Sequence, residues 1–424
     1  QQFAQYENEH ILQPLEMQTA TFQQPIPASR SRQQVTGYRI VNGELAAKPV
    51  TYTRQVGAGG LTATGHDISH FMMAYLAEGG FNDNQILQPS TVGQMMDNRF
   101  SSHPELMGIV SGFWEAVVNQ HHVLYHTGDT LSFSSLLALM PESNTGVFVA
   151  YNRVTDTPRW NILDGILTQC WDTGNYRQSA FPSFKPGSSK PFSGTYQSVR
   201  IDSSTPARLL AFGWETKVRA KSNGQIEIDG QEYNPIGPEL FQQVEGAERV
   251  AFRLNRKGEG THLFFDTVPT MAFERLSWWE TSVAQIIALV VPLLVFLANL
   301  VNWGVSIFRK KQLVLSVAHW IAAGMSLLGI ATAGLAGAAM TNANEIVFGL
   351  PVTLQIGLWL GWPFVLLAVL SSGFALRAWM QKLWTPLQRL YYTLVAFSGV
   401  VFIWFLNYWN LVPDLNALLN WLTI

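Results

Sequence analysis

The chain has 424 residues, 48% of them hydrophobic and 13% charged, with a formal net charge of -2. That near balance supplies neither the basic field of a nucleic-acid binder nor an acidic tail, so electrostatics names no partner. Cys170 is the only cysteine, which excludes an intramolecular disulfide and a thiolate zinc site.

Phe3 to Tyr6 opens a helical run that ends on His10-Ile11-Leu12-Gln13-Pro14-Leu15-Glu16-Met17. Gly57-Ala58-Gly59-Gly60-Leu61-Thr62-Ala63-Thr64 precedes a predicted helix from His66 to Glu78, with Asp67 expected to cap it. His66 and His70 have the i, i+4 spacing of metal ligands, but no His-Glu-x-x-His carboxylate accompanies them, so no metal is expected. Gly57 to Gly60 lack the following Lys-Ser/Thr of a phosphate loop, and no Gly-x-Ser-x-Gly elbow occurs; no cofactor is expected. His121-His122 are expected in a turn. Val123-Leu124-Tyr125 begins a strand, and Ser132 to Met140 and Gly146 to Tyr151 are two more, joined by the turn Pro141-Glu142-Ser143-Asn144.

Between those strand-like runs, Tyr125-His126-Thr127-Gly128 resembles the Lys/His-Thr/Ser-Gly strand that closes the active site of the serine beta-lactamase and penicillin-binding-protein superfamily. The likeness runs from about residue 3 to residue 172. Leu12 to Met17 resembles the family's "I-x-x-P-L-G-M" turn, with Glu16 where glycine is usual, and Gly57 to Thr64 resembles its "A-G-G-L-x-S-T" stretch. The resemblance implies that residues 1-180 are the C-terminal part of a partial α/β beta-lactamase-like serine hydrolase domain, antiparallel sheet plus helices, of the class C-related group. By resemblance, Thr127 supplies a hydroxyl to the substrate's carboxylate or acyl group and the backbone N-H of Asp129 is an oxyanion donor. Gly128 leaves room for substrate along the strand. His126 stands where many members have lysine, and since imidazoles ordinarily titrate near pH 6.5, activity dependent on pH around neutrality is expected. The motif is expected at a sheet edge, with His126 and Thr127 facing an open cleft.

The superfamily's nucleophile is a Ser-x-x-Lys, and none of the nine lysines has a serine three positions before it. Tyr6-Glu7-Asn8 and Tyr408-Trp409-Asn410 match the second motif in letters, but one lies in a helical run and the other at the end of an apolar span. The registration places both missing motifs before Gln1. The sequence is therefore expected to be N-terminally incomplete and inactive as it stands, its hydrolase part an open half-domain.

Residues 181-191, with Pro186-Gly187-Ser188-Ser189, form a linker by composition. From 192 to 276 short alternating runs predict a small antiparallel β-barrel or sandwich: Gly194-Thr195-Tyr196, Ala207 to Trp214, Lys217 to Lys221, Gln225 to Ile228, Arg249 to Leu254, His262 to Phe265 and Met271 to Arg275. Ser222-Asn223-Gly224 and Asp229-Gly230 are its turn signals. It resembles the β-domain often appended to such hydrolases, as a structural spacer or as a ligand-binding barrel.

Residues 281-410 hold four apolar stretches, 283-308, 313-340, 350-376 and 390-409, none containing Asp, Glu, Lys or Arg. Each is long enough to cross a hydrocarbon core of about 30 Å as a helix. Arg309-Lys310-Lys311 and the loop with Arg377, Lys382 and Arg389 are basic, whereas Thr341 to Gly349 has only Glu345. Basic loops accumulate on the cytoplasmic side, which puts residues 1-280 and the C-terminus outside a plasma membrane crossed several times. Trp278, Trp279, Tyr408 and Trp409 are expected at the interface. Gly324, Gly329, Gly334 and Gly337 are expected at helix contacts, Pro292 and Pro363 at kinks. His319 alone, without an acid, does not make a proton relay. Residues 411-424 carry Leu415, Leu418, Leu419 and Leu422 at helical spacing, an interfacial tail.

These features favour a membrane-anchored extracytoplasmic serine hydrolase acting through an acyl-enzyme on a peptide, amide, ester or beta-lactam. Its expected partners are that small-molecule or peptide substrate and the lipid bilayer, not nucleic acid. The alternative is a catalytically inactive binding or sensory domain on a membrane anchor; a transporter would need more polar groups in the spans.

Overall fold

The computed structural model of the chain describes residues 3-30, 34-41, 43-53, 55-97, 99-155, 157-171, 187-308, 317-341, 343, 346 and 349-412. They form two compact units, one of residues 1-192 and 219-272, the other of 193-218 and 273-424.

The first unit begins with α1 (Phe3–Glu7), which continues into one wider helical turn, Asn8–Leu12. A hairpin of β1 (Gly37–Val41) and β2 (Glu44–Lys48) follows, then α2 (Val56–Gly59) and α3 (Gly65–Leu76). The cap of α3 is reciprocal: the Thr64 hydroxyl accepts from the Asp67 N-H at 3.2 Å, and the Asp67 carboxylate accepts from the Thr64 N-H at 3.0 Å. Asp67 is thus a capping residue, as expected. Two-residue strands β3 (Gly80–Phe81) and β4 (Asn84–Gln85) lead to α4 (Pro89–Asp97).

A five-stranded antiparallel sheet then forms in sequence order: β5 (Ile109–Val110), β6 (Phe113–Val118), β7 (His121–Asp129), β8 (Ser134–Met140) and β9 (Thr145–Tyr151). α5 (Thr157–Cys170) follows. Side chains alternate across a strand, and both faces are apolar. Val123, Tyr125, Leu136, Ala138 and Met140 pack with Leu163 and Leu167 of α5. Leu124 and Leu139 pack with Met72 and Tyr75 of α3 on the other face.

Two local expectations change here, and one is explained. His121 and His122 begin β7 rather than forming the turn, because Asn119 and Gln120, at φ of 47° and 58°, take the left-handed conformations of a tight hairpin. β7 is the middle strand of the sheet, not an edge strand. Glu16 sits at φ 55°, a conformation that suits glycine and explains why a glycine there would fit better.

Eight further strands close into a barrel in sequence order: β10 (Gly194–Ser198), β11 (Thr216–Ala220), β12 (Ile226–Ile228), β13 (Gln231–Pro235), β14 (Leu240–Gln243), β15 (Arg249–Leu254), β16 (Gly260–Phe265) and β17 (Ala272–Arg275). β13 has a single apolar residue in its middle, Tyr233, before Pro235, and β14 is an apolar pair followed by two glutamines, so neither shows an alternation to read. Ala207 to Trp214 is not a strand: Pro206–Ala211 forms a helical turn capped by Thr205, since proline suits the first helical position. Ile226, Phe241, Val250, Phe252 and Leu263 are almost fully buried, and the rings of Phe192, Phe241 and Phe252 meet edge to face or tilted at 4.8–5.7 Å. Aromatic packing fills this part of the barrel.

The second unit holds four helices long and apolar enough to cross a membrane: α6 (Ser282–Phe308), α7 (Val317–Met340), α8 (Val352–Met380) and α9 (Pro386–Tyr408). α8 and α9 run past the expected spans and take Arg377 and Arg389 into their ends; Thr385 and Gln388 form a capping box that starts α9 early. α6 and α8 continue through Pro292 and Pro363. Phe296, Phe364 and Phe402 meet edge to face at 5.2–6.0 Å, all fully buried. A Cβ added at Gly329 would lie 2.7 Å from Phe296 and 3.0 Å from Phe364, so this glycine lets the rings reach the α7 backbone. Gly324 makes a looser approach to Leu367, while Gly334 and Gly337 face open space and do not serve helix contact.

Within the same unit the connection between β10 and β11 meets the C-terminal end of α9. Asn410 donates to the carbonyls of Ser203 and Thr205, at 3.0 and 3.1 Å, and the Arg208 guanidinium lies 4.0 Å from the centre of the Tyr408 ring. Trp409 is buried and donates from Nε1 to Gln285 Oε1 at 3.0 Å, so it is a packing residue; Trp278, 76% exposed, keeps the geometry of an interfacial anchor. Residues 181-186 of the linker, the basic stretch Arg309-Lys310-Lys311, Glu345, and residues 413-424 of the tail lie outside the described residues.

Candidate active site

β7 pairs with β6 only from Val118↔His121 to Trp114↔Tyr125, whereas its pairing with β8 runs on from Leu124↔Leu139 to Asp129↔Ser134. From His126 to Asp129, therefore, β7 has outrun β6 and pairs along one side. This makes a local edge on a central strand. His126 and Gly128 are exposed and Thr127 is partly so. The alternation that turns Tyr125 towards α5 puts Thr127 and Asp129 on that face, and His126 and Gly128 on the other.

Each residue has a distinct local restraint. The His126 ring lies 5.2 Å from the Trp114 indole, tilted by 35°, and Trp114 also meets Tyr125 edge to face. A Cβ at Gly128 would fall 2.7 Å from the Ser135 hydroxyl, which itself donates to the Gly128 carbonyl at 3.3 Å. Glycine is thus required by the neighbouring strand, whatever else lies along the edge. The Asp129 carboxylate receives Arg159 Nη1 and Nη2 at 3.1–3.2 Å and the Ser134 hydroxyl at 2.6 Å. Arg159 is buried and also donates to the Ser135 carbonyl at 3.0 Å, tying the end of the β7–β8 hairpin to α5.

A second charged group sits one strand away. Glu115, on β6, accepts from Arg99 Nε at 2.6 Å, from the Gly108 N-H at 2.8 Å, and meets His122 Nε2 at 3.1 Å. Burial pushes its carboxyl up, but the bonds from His122, Arg99 and Gly108 outweigh this and hold it below the ordinary glutamate value. The group ties β6 to β7 beside Trp114.

Arg159 and Glu115 escaped sequence reasoning, although one signal was available. Arg159, Leu163 and Leu167 share a helix stripe at i, i+4, i+8, and a cation on an otherwise apolar stripe implies a buried partner. His66 and His70 resolve differently: their rings touch, His70 donates from Nδ1 to the Leu15 carbonyl at 2.8 Å, and its ring stacks on Phe81. His70 is a core residue joining α3 to the Leu15 turn. Two cavities open elsewhere, one lined by Gln34 to Gly37, Lys48 and Phe133, the other by Asn8, Leu12 and Arg30.

Among solved structures the chain is similar to SurE, at 17% identity and TM-score 0.45, over 65% of this chain and 64% of that one. It is also similar to SurE with D-Leu, at 17% identity and TM-score 0.42, over 64% and 62%. A third is the octameric penicillin-binding protein homologue from Pyrococcus abyssi, at 14% identity and TM-score 0.34, over 64% and 59%. The chain spans less than two thirds of the length of each. No curated protein sequence matches it. The beta-lactamase family model matches residues 1–165, a stretch that includes α3, the whole five-stranded sheet and most of α5. Residues 1–165 are accordingly a beta-lactamase-like domain.

Proposed function

We propose that the protein is a membrane-anchored serine hydrolase of the class C-related beta-lactamase type, with residues 1-280 and the C-terminus on the outer face of the plasma membrane. Its chemistry is acyl transfer to a serine followed by hydrolysis, on a peptide, amide, ester or beta-lactam. The observation that carries this reading is the unpaired side of β7 from His126 to Asp129 within the beta-lactamase-like domain. A substrate backbone laid along that edge meets the Thr127 hydroxyl at its carboxylate or acyl group, and the Asp129 N-H stabilises the oxyanion. Arg159, holding the Asp129 carboxylate from behind, keeps that peptide unit in place. His126, exposed beside Trp114, is the proton-handling group. The four apolar helices support anchoring, and the basic α8–α9 turn supports the sidedness.

No Ser-x-x-Lys occurs in the 424 residues, which favours a second reading, an inactive binding domain on the same anchor. The two are separated by expressing the protein from its own chromosomal reading frame and treating membranes with a fluorescent penicillin and a fluorescent fluorophosphonate. The hydrolase becomes covalently labelled, and His126→Ala or Thr127→Ala slows labelling by at least about tenfold. A protein that is abundant in the membrane yet takes neither label refutes the hydrolase and leaves the binding domain.

A further inference from the structure

The turn between α8 and α9 carries a feature that anchoring alone does not explain. Its cations are Arg377, Lys382 and Arg389, and no Asp or Glu occurs between Glu280 and Glu345 or between Glu345 and Asp414. The four helices therefore offer these cations no carboxylate. Arg389 lies with its guanidinium 4.9 Å from the centre of the Trp379 ring, and its Nε is buried without an acceptor among the described residues. Trp379 is itself fixed, donating from Nε1 to Thr393 Oγ1 at 2.9 Å. The turn is held in an uncommon shape: Lys382 and Trp384 take φ of 52° and 62°, and the Trp384 ring packs 5.1 Å from Tyr392. A bulky residue in the left-handed region is costly, and the Trp384 ring is partly buried against the bundle core.

The surroundings of Arg389 are apolar and exposed: Met380 is 75% exposed, Leu387 76% and Leu390 60%. α9, with 23 residues, is about 35 Å long at the usual helical rise, so this turn lies about a membrane's thickness from the end where Tyr408 meets Arg208. Cations without carboxylates, set among exposed apolar side chains at the end of membrane-length helices, match a ligand with an anionic head and apolar chains. A soluble phosphate would have no use for the leucines.

We propose that the α8–α9 turn is a binding site for an anionic phospholipid, its phosphate held by Arg389 against Trp379 with Lys382 and Arg377 adding charge at the same end. The proposal rests on the membrane-spanning part of the reading above and is independent of the hydrolase part. Resistance of the protein to extraction from membranes by alkaline carbonate tests the spanning alone. The full chain, purified in mild detergent, is then titrated with phosphatidylglycerol and phosphatidylcholine and examined by native mass spectrometry. Phosphatidylglycerol is expected to be retained preferentially, with retention falling about fivefold in Arg389→Gln and somewhat less in Lys382→Gln. Equal retention of the two lipids overturns the proposal, as does unchanged retention in Arg389→Gln protein with a native melting temperature. Displacement of the lipid by millimolar inorganic phosphate also overturns it, by making the site one for free anions. Should Arg389→Gln fail to fold, Lys382→Gln on the exposed turn decides alone.

Discussion

The sheet of the beta-lactamase-like domain and the four-helix bundle are held together by opposite means. The sheet fastens its strands with charge: Glu115 on β6 accepts from His122 on β7 and from Arg99 and Gly108 ahead of the sheet, and Asp129 is clasped by a buried arginine. The bundle has no acidic residue in its described helices and is fastened by shape, three buried phenylalanines closing on a glycine backbone. In water, apolar burial supplies the drive and charge-assisted bonds select one register. Between lipid chains burial supplies little, and close contact has to carry the association.

The largest expected effect tests the bundle. Gly329→Val should destabilise it by about 3 kcal/mol, because the new side chain collides with Phe296 and Phe364. Gly334→Val, whose Cβ meets nothing, should be silent. Equal losses in unfolding of the detergent-solubilised protein by sodium dodecyl sulfate would mean that glycine acts through helix flexibility, not fit.

On the sheet, Asp129→Ala should cost about 2 kcal/mol by removing the carboxylate that pairs with the buried Arg159; the partial exposure of Asp129 keeps the loss below that of a fully buried pair. Chemical denaturation followed by Trp160 fluorescence reads it in a variant lacking the other tryptophans of the domain. Arg159→Met, which removes the buried charge, should cost less. The reverse order would show that packing of the arginine stem matters more than the ion pair.

A further expectation is pH-dependent. Glu115 has a folded pKa below its ordinary value of 4.5, so the unfolded chain binds the proton more readily. Its stabilisation is complete above the ordinary glutamate value and disappears as pH falls through the depressed one. Glu115→Gln should cost about 1.5 kcal/mol near neutrality and flatten the acid limb of stability against pH. Asp266, in the barrel, provides the opposite sign. Burial, helped by the like charge of Glu248, raises its carboxyl to about 6, outweighing the backbone N-H of Arg249, which acts to lower it. The folded state then prefers the protonated form, and stability falls as pH rises from about 4 to about 6. Asp266→Asn should relieve that loss above pH 6, and identical pH profiles for both variants would show that neither carboxyl is tuned by its neighbours.

The smallest effect is a gain. Glu16→Gly at φ 55° should stabilise the domain by about 1 kcal/mol, by removing left-handed strain while losing the exposed bond from Asn82 at 3.1 Å. A loss would mean that this bond outweighs the backbone term.

The amino-acid sequence by itself determined the presence of a beta-lactamase-like part, antiparallel β-structure and four apolar helices, because periodicity and composition are local properties. It placed Tyr125 to Gly128 on a strand and Asp67 at a helix cap for the same reason. What the tertiary structure decided concerns partners distant in the chain. β7 outruns β6 between Tyr125 and Asp129, Arg159 reaches back 30 residues to Asp129, and Gly329 differs from Gly334 by which rings lie opposite. Strand length, the sign of a carboxyl's pKa shift and the tightness of a glycine contact are set by what packs against them, and no window of sequence contains that neighbour.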